Sequence, residues 1–157
     1  MKSESISTLK KEIETLPFEV LVQICIRMAK FKTENKELLN YLIFEVYDQQ
    51  TFIENAKKEI DLQFLSLNKS SLYLAKKTVR KTLKTTHKYI KFSGEKETEL
   101  NLLIHFCKKL KTCGLPLHHG KVLGNIYLRE FERIKTVLNS LHEDLQLDYA
   151  AEMKQIS

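Results

Sequence analysis

Apolar residues along this chain recur three and four positions apart, and from Phe18 to Ser93 neither Gly nor Pro interrupts them. That period belongs to the α-helix and not to the strand. A first helix over about residues 4–15 aligns Ile6, Leu9, Ile13 and Leu16 on one stripe. Pro17 suits the opening turn of a second helix, about 17–31, because a first-turn N–H needs no partner within the helix. This second helix is apolar almost all round, with Glu19, Gln23, Arg27 and Lys30 confined to a narrow seam. Such a helix is predicted to be covered on several sides. A third, about 34–47 and capped by Thr33, is similarly rich in Leu, Ile, Phe and Tyr. These two helices are therefore expected to form the centre of the core.

Asp48 is placed to cap a fourth helix, about 49–67, with a stripe of Phe52, Ile53, Ala56, Ile60, Phe64 and Leu67. Asn68 or Ser70 opens a long fifth helix that stops at Ser93-Gly94, a C-terminal signal. A sixth spans about 96–112 on Leu100, Leu103, Ile104, Cys107 and Leu110, and Gly114 to Gly120 is a loop. A seventh covers about 122–142, with an extension toward 153, on Tyr127, Phe131, Ile134, Leu138, Leu141 and Leu145. The prediction is an all-α chain of six or seven antiparallel helices, packed as a short α-α superhelix or an irregular bundle.

Displacing the chain by 61 residues aligns Lys30–Ile43 with Lys91–Ile104, and seven of the fourteen positions agree without a gap. Both stretches cross a helix end, a short turn and a new helix. This suggests an internal duplication within one domain over 1–157, with related units at about 17–67 and 78–142. The flanks Gln23–Ala29 and Lys84–Ile90 share no identity, which limits the similarity to the turn and its neighbours. Stacked helical repeats of the armadillo or HEAT kind are an architectural analogy and imply no function.

Composition narrows the class. Hydrophobic residues make up 43% of the 157 and charged residues 29%, a soluble globular balance and not a disordered one. No apolar run approaches the roughly 18 residues that span a bilayer. Met1 to Glu12 has no apolar core of a signal peptide, and the three cysteines are odd in number. Together these predict a cytoplasmic protein with reduced thiols.

Candidate chemistry is sparse. His105, Cys107, Cys113, His118 and His119 lie close in sequence, but the cysteines are six apart and the histidines adjacent. Structural zinc sites pair ligands at tighter cysteine and wider histidine spacings, so no metal and no cofactor are predicted. Gly114 to Val122 fails the phosphate-loop pattern, with five intervening residues and Val122 where a hydroxyl is needed. Metalloprotease, serine-hydrolase and di-iron signatures are absent. An enzyme would have to assemble its site across helices.

The fifth helix is the informative one. Between Asp61 and Glu95 there is no acidic residue, while eight Lys or Arg fall there, against a net charge of +6 for the whole chain. Leu72, Ala75, Val79, Leu83, Thr86 and Ile90 share a face about 80° wide at 100° per residue. Lys77, Arg80, Lys81, Lys84, Lys88 and Lys91 occupy about 100° on roughly the opposite side. Like charges at these spacings repel by tenths of a kcal/mol per pair. The ridge is read first as a solvated face, or one neutralised by Glu143, Asp144, Asp148 and Glu152. The sharper alternative is sequence-independent binding of nucleic-acid phosphates through residues 69–92. Only Tyr73 offers an aromatic nearby, so base stacking is poorly served. The leading expectation is a non-enzymatic helical domain that binds a macromolecular partner, most simply a protein, with nucleic acid as the alternative.

Overall fold

A computed structural model describes residues 3–118 and 121–157. Helix accounts for 82% of the described residues and no strand occurs among them, so the chain is all-α. Eight α-helices are present among the described residues: α1 Ile6–Thr15, α2 Phe18–Phe31, α3 Thr33–Asn40, α4 Gln49–Leu65, α5 Leu72–Ser93, α6 Lys96–Thr112, α7 Val122–Asn139 and α8 Glu143–Ile156. They divide between two compact units, residues 1–45 and 46–157. The division falls inside the 17–67 span suggested by the sequence match.

Local signals account for most helix boundaries. The Asp48 carboxylate accepts from the Thr51 N–H at 3.0 Å and caps α4. Gly94, at φ 70°, ends α5 in the left-handed region that other residues avoid, and its N–H bonds the Ile90 carbonyl. Ser71, and not Asn68 or Ser70, caps α5 by accepting from the Leu74 N–H. Thr33 is the first residue of α3 and not its cap; Lys32 precedes the helix without a side-chain bond. After Asn40 the third helix widens into a π-helical turn, Tyr41–Glu45, in place of the α-helix expected to reach 47.

The seventh helix differs from its prediction. It stops at Asn139, where Ser140 closes the last turn, and His142 starts α8 by accepting from the Asp144 N–H. The continuation toward 153 is thus a separate helix.

In the 46–157 unit, α6 is the centre. It packs against α4, α5, α7 and α8. All five residues expected on its stripe are buried, and so are Leu102 and Phe106. The α4 stripe buries Phe52, Ile53, Ala56 and Ile60, and the α5 stripe buries Ala75, Val79, Leu83, Thr86 and Ile90. Gly124 lets the loop approach α7, since a Cβ there would collide with the His118 carbonyl oxygen.

In the 1–45 unit, α2 packs on α3. Neither helix buries a single residue, so the expectation that they form the core centre is wrong. Tyr41, in the π-helical turn, is buried. No helix is long and apolar enough to cross a membrane among the described residues.

Candidate binding surfaces

The cationic ridge forms where the pattern placed it. Lys77, Arg80, Lys81, Lys84 and Lys91 are exposed along α5, and Lys88 is half-buried. From Lys77 to Lys91 the ridge runs about 21 Å at 1.5 Å per residue, roughly six base-pair steps of duplex DNA. Lys77, Arg80, Lys81 and Lys91 meet no carboxylate among the described residues. Lys88 lies over the Tyr89 and Phe92 rings, 5.0 and 5.9 Å from their centroids, so the expectation that Tyr73 is the only aromatic near the ridge is wrong. Two of the four acids of α8 are directed elsewhere: Glu152 pairs with Lys108 at 2.7 Å, and Asp144 with His142 at 3.3 Å. That removes these two carboxylates as neutralisers of the ridge.

Behind the ridge, α5 joins α7 through a buried carboxylate that the sequence reading missed. Glu130 is 1% exposed and accepts from His87 Nε2 at 2.9 Å and from Arg129 Nε at 2.9 Å. Arg133 bonds Glu99 on α6 at 2.5 Å, and its Nη1 lies 3.5 Å from His87. Burial pushes the Glu130 carboxyl up, yet the hydrogen bonds and charges of His87 and Arg129 hold it below its usual value. A signal for this site exists in the spacing. Glu130 sits four residues from Ile126 and from Ile134, an acid in the place of an apolar residue on a buried stripe.

A second cluster joins α4 to α6. Asp61 accepts from His105 at 2.6 Å and from Lys109 at 3.0 Å. Burial raises the Asp61 carboxyl, and the bonds and charges of Lys109 and His105 bring it net below its usual value. Burial lowers the His105 imidazole, and the opposing pull of Asp61 only partly restores it. Nearby, Lys57 donates to Asn101, which donates to the Tyr149 hydroxyl at 2.8 Å and so ties α8 to α4 and α6.

These clusters are ties between helices. Neither His87 nor His105 bonds a hydroxyl or thiol among the described residues, so no activated nucleophile is formed there. Cys107 is buried with its thiol pushed up to about 12, by burial and by the Glu130 charge. Cys113 points its thiol at the Leu110 carbonyl, His105 is held by Asp61, and His118 is exposed. His119 lies outside the described residues. Among those described, no three His, Cys, Asp or Glu are placed to hold a metal ion.

The apolar surface of the 1–45 unit is the other candidate. Thirteen large apolar side chains are exposed in it, including Ile6, Phe18, Ile24, Phe31 and Phe44. Only Leu21 and Ala29 of α2 are half-buried; the remainder of that helix is exposed. Ile24, Arg27, Met28, Lys30, Phe31 and Asn35 line an open groove of about 540 Å³ along its C-terminal half. Sequence reasoning placed Ile24 and Met28 in a core and Arg27 and Lys30 on the polar seam of the same helix. No family model, no curated protein and no solved structure matches this chain.

Proposed function

We propose that the chain is a cytoplasmic, non-enzymatic helical module that binds a protein partner through the apolar surface of residues 1–45. One observation carries this reading. A helix that is apolar almost all round, α2, is bare on nearly every side. Exposed apolar patches of this extent mark interaction sites, because leaving them in water forgoes about 25 cal/mol per Å². The 46–157 unit is then the folded support, with α6 packed against four other helices at its centre. A photo-crosslinking residue at Ile24, with Lys58 on α4 as the control position, tests the surface in cells. Discrete adducts at Ile24 that are absent at Lys58 are expected. No adduct of any mass at Ile24 overturns the reading.

A second reading is favoured by a separate observation, the absence of carboxylate partners at Lys77, Arg80, Lys81 and Lys91. On this reading α5 binds phosphate backbones without sequence preference. Four to six contacts on duplex DNA would give a slope of log K against log salt of roughly −3.6 to −5.4. Replacing Lys77, Lys81, Lys84 and Lys88 by Gln would flatten it by up to about 3.6. A solvated face instead gives no binding at low salt.

A further inference from the structure

We infer that the 46–157 unit docks end-on to an anionic lipid surface, through the end at which α4, α6 and α8 finish and α5 and α7 begin. The inference uses a surface separate from α2 and does not rest on the reading of residues 1–45.

The first argument is topology and charge. Lys57 bonds Asn101 and Asp61 bonds His105, so α4 and α6 run in the same direction. Asn101 bonds Tyr149 and Lys108 bonds Glu152, so α8 runs with them. Gln63 meets Thr85 while Gln49 meets Ser93, so α5 runs against α4. Arg133 meets Glu99 and Tyr127 meets Ile156, so α7 runs against α6 and α8. Each helix therefore gives one half to either end of the unit. The halves at the first end, residues 58–82, 105–118, 121–130 and 150–157, hold twelve basic and four acidic residues. The opposite halves, 46–57, 83–104 and 131–149, hold seven and nine. The unit is thus polarised, +8 at one end and −2 at the other. Of the four acids at the basic end, Asp61, Glu130 and Glu152 are each paired with a cation. Lys69, Lys77, Arg80 and Lys81 are exposed there and meet no carboxylate among the described residues.

The second is the apolar content of that end. Seven large apolar side chains are exposed among the described residues of the unit, and five of them, Leu62, Leu65, Leu72, Tyr73 and Leu74, lie in the basic halves. Leu65 and Tyr73 are 81% and 75% exposed. Leu62 and Leu65 fall in the last turn of α4, and the other three open α5. In the turn between them the Lys69 ammonium lies against Gly114, 3.8 Å from where a side chain there would begin, so the turn and the loop after α6 form one end face. Leu72, Tyr73 and Leu74 are consecutive and spread over about 200° of the helix circumference at 100° per residue. A partner lying alongside α5 would leave part of this crown in water. A surface that meets α5 end-on reaches all of it, and the buried face of α5 stays in the core.

The third is depth. Along α5, Lys76, Lys77 and Arg80 stand about 4.5–10.5 Å beyond Tyr73 at 1.5 Å per residue. Apolar side chains at a membrane interface reach about 5–10 Å into the boundary of headgroups and acyl chains. These cations then fall at the level of the lipid phosphates, where each adds to the attraction. A nucleic-acid backbone also attracts the cations, but it gives the leucines nothing apolar to enter.

The test is flotation of the full chain with phosphatidylcholine vesicles and with vesicles that also contain phosphatidylserine, with circular dichroism as the control for folding of each variant. Binding to the anionic vesicles alone, weakened by salt, is expected. Replacing Lys69, Lys77 and Arg80 together by Gln should weaken it about a hundredfold, at about fivefold per charge. Leu65→Ser with Tyr73→Ser should weaken it about tenfold or more. Lys91→Gln, at the acidic end of the same helix, should change it less than about twofold. Equal losses from Lys77→Gln and Lys91→Gln overturn the end-on contact, as does an affinity unmoved by the apolar change. Equal binding to both kinds of vesicle overturns it too, because it assigns the contact to residues 1–45, whose seven basic and seven acidic residues balance. Binding to duplex DNA with none to either vesicle leaves the phosphate reading of α5 standing and excludes the lipid surface. No binding to the anionic vesicles at low salt excludes it outright.

Discussion

Lys30–Ile43 and Lys91–Ile104 carry the same residues at half their positions, yet they live in opposite surroundings. Each leaves a helix, crosses a turn and enters the next helix, α2 to α3 in one case and α5 to α6 in the other. Leu103 and Ile104 are 0% and 1% exposed, whereas their counterparts Leu42 and Ile43 are 50% and 52% exposed. The difference is cover. Around α6 the chain supplies four packed neighbours, while α3 has α2 and the π-helical turn. A core-forming pattern states which face of a helix seeks burial. It does not state that the same chain provides the burial. Within residues 1–45 the pattern stays bare, and that bareness supports the proposal of a binding surface.

Truncating the matched leucines should separate the two regions most strongly. Leu103→Ala empties a closed site and should cost about 2–5 kcal/mol in urea unfolding. Leu42→Ala, half in solvent already, should stay within about 1 kcal/mol in dilute protein. Equal costs would show that the two stretches are buried alike. Ile24→Asp belongs with Leu42, since Ile24 is exposed on α2 and a carboxylate there keeps its water.

An intermediate effect should come from acid. The folded-state pKa of Glu130 lies below the ordinary 4.5, so its ion pair adds stability in full above about pH 4.5. That contribution is lost as pH falls through the folded value. The His105 imidazole, held below 6.5, acts in the same direction at higher pH. Its contribution is present above about 6.5 and is lost as pH falls through its own folded value. Thermal melts from pH 7 to pH 3 should therefore decline, and Glu130→Gln should flatten the acid end. An unchanged acid limb in Glu130→Gln would separate Glu130 from the acid sensitivity of the second unit.

The smallest expected effect is on the ridge. Changing Lys77 and Lys81, which lie four residues apart and meet no carboxylate among the described residues, to Gln removes like-charge repulsion along α5, worth tenths of a kcal/mol per pair. The variant should melt at or slightly above the parent temperature. A clear loss of stability would mean that the ridge is held by carboxylates within the fold, and would remove the phosphate reading with it.

What the chain determines locally was legible in its residues. Asp48 capping α4, Gly94 ending α5, the 96–112 extent of α6 and the stripes of α4, α5 and α6, apart from the exposed Leu72, all follow from hydrogen bonds or spacings within a few residues. The cationic ridge of α5 was legible for the same reason: a helix fixes the angle between its own side chains. What only the tertiary structure decided depends on residues far apart in the chain. His87 reaches Glu130 across 43 positions, and Asp61 reaches His105 across 44. No local period records such a meeting. The exposure of α2 was hidden in the same way, because an apolar face looks identical in sequence whether its cover comes from the same chain or from another. Periodicity reports an energetic demand, and only the packing of distant segments shows where that demand is met.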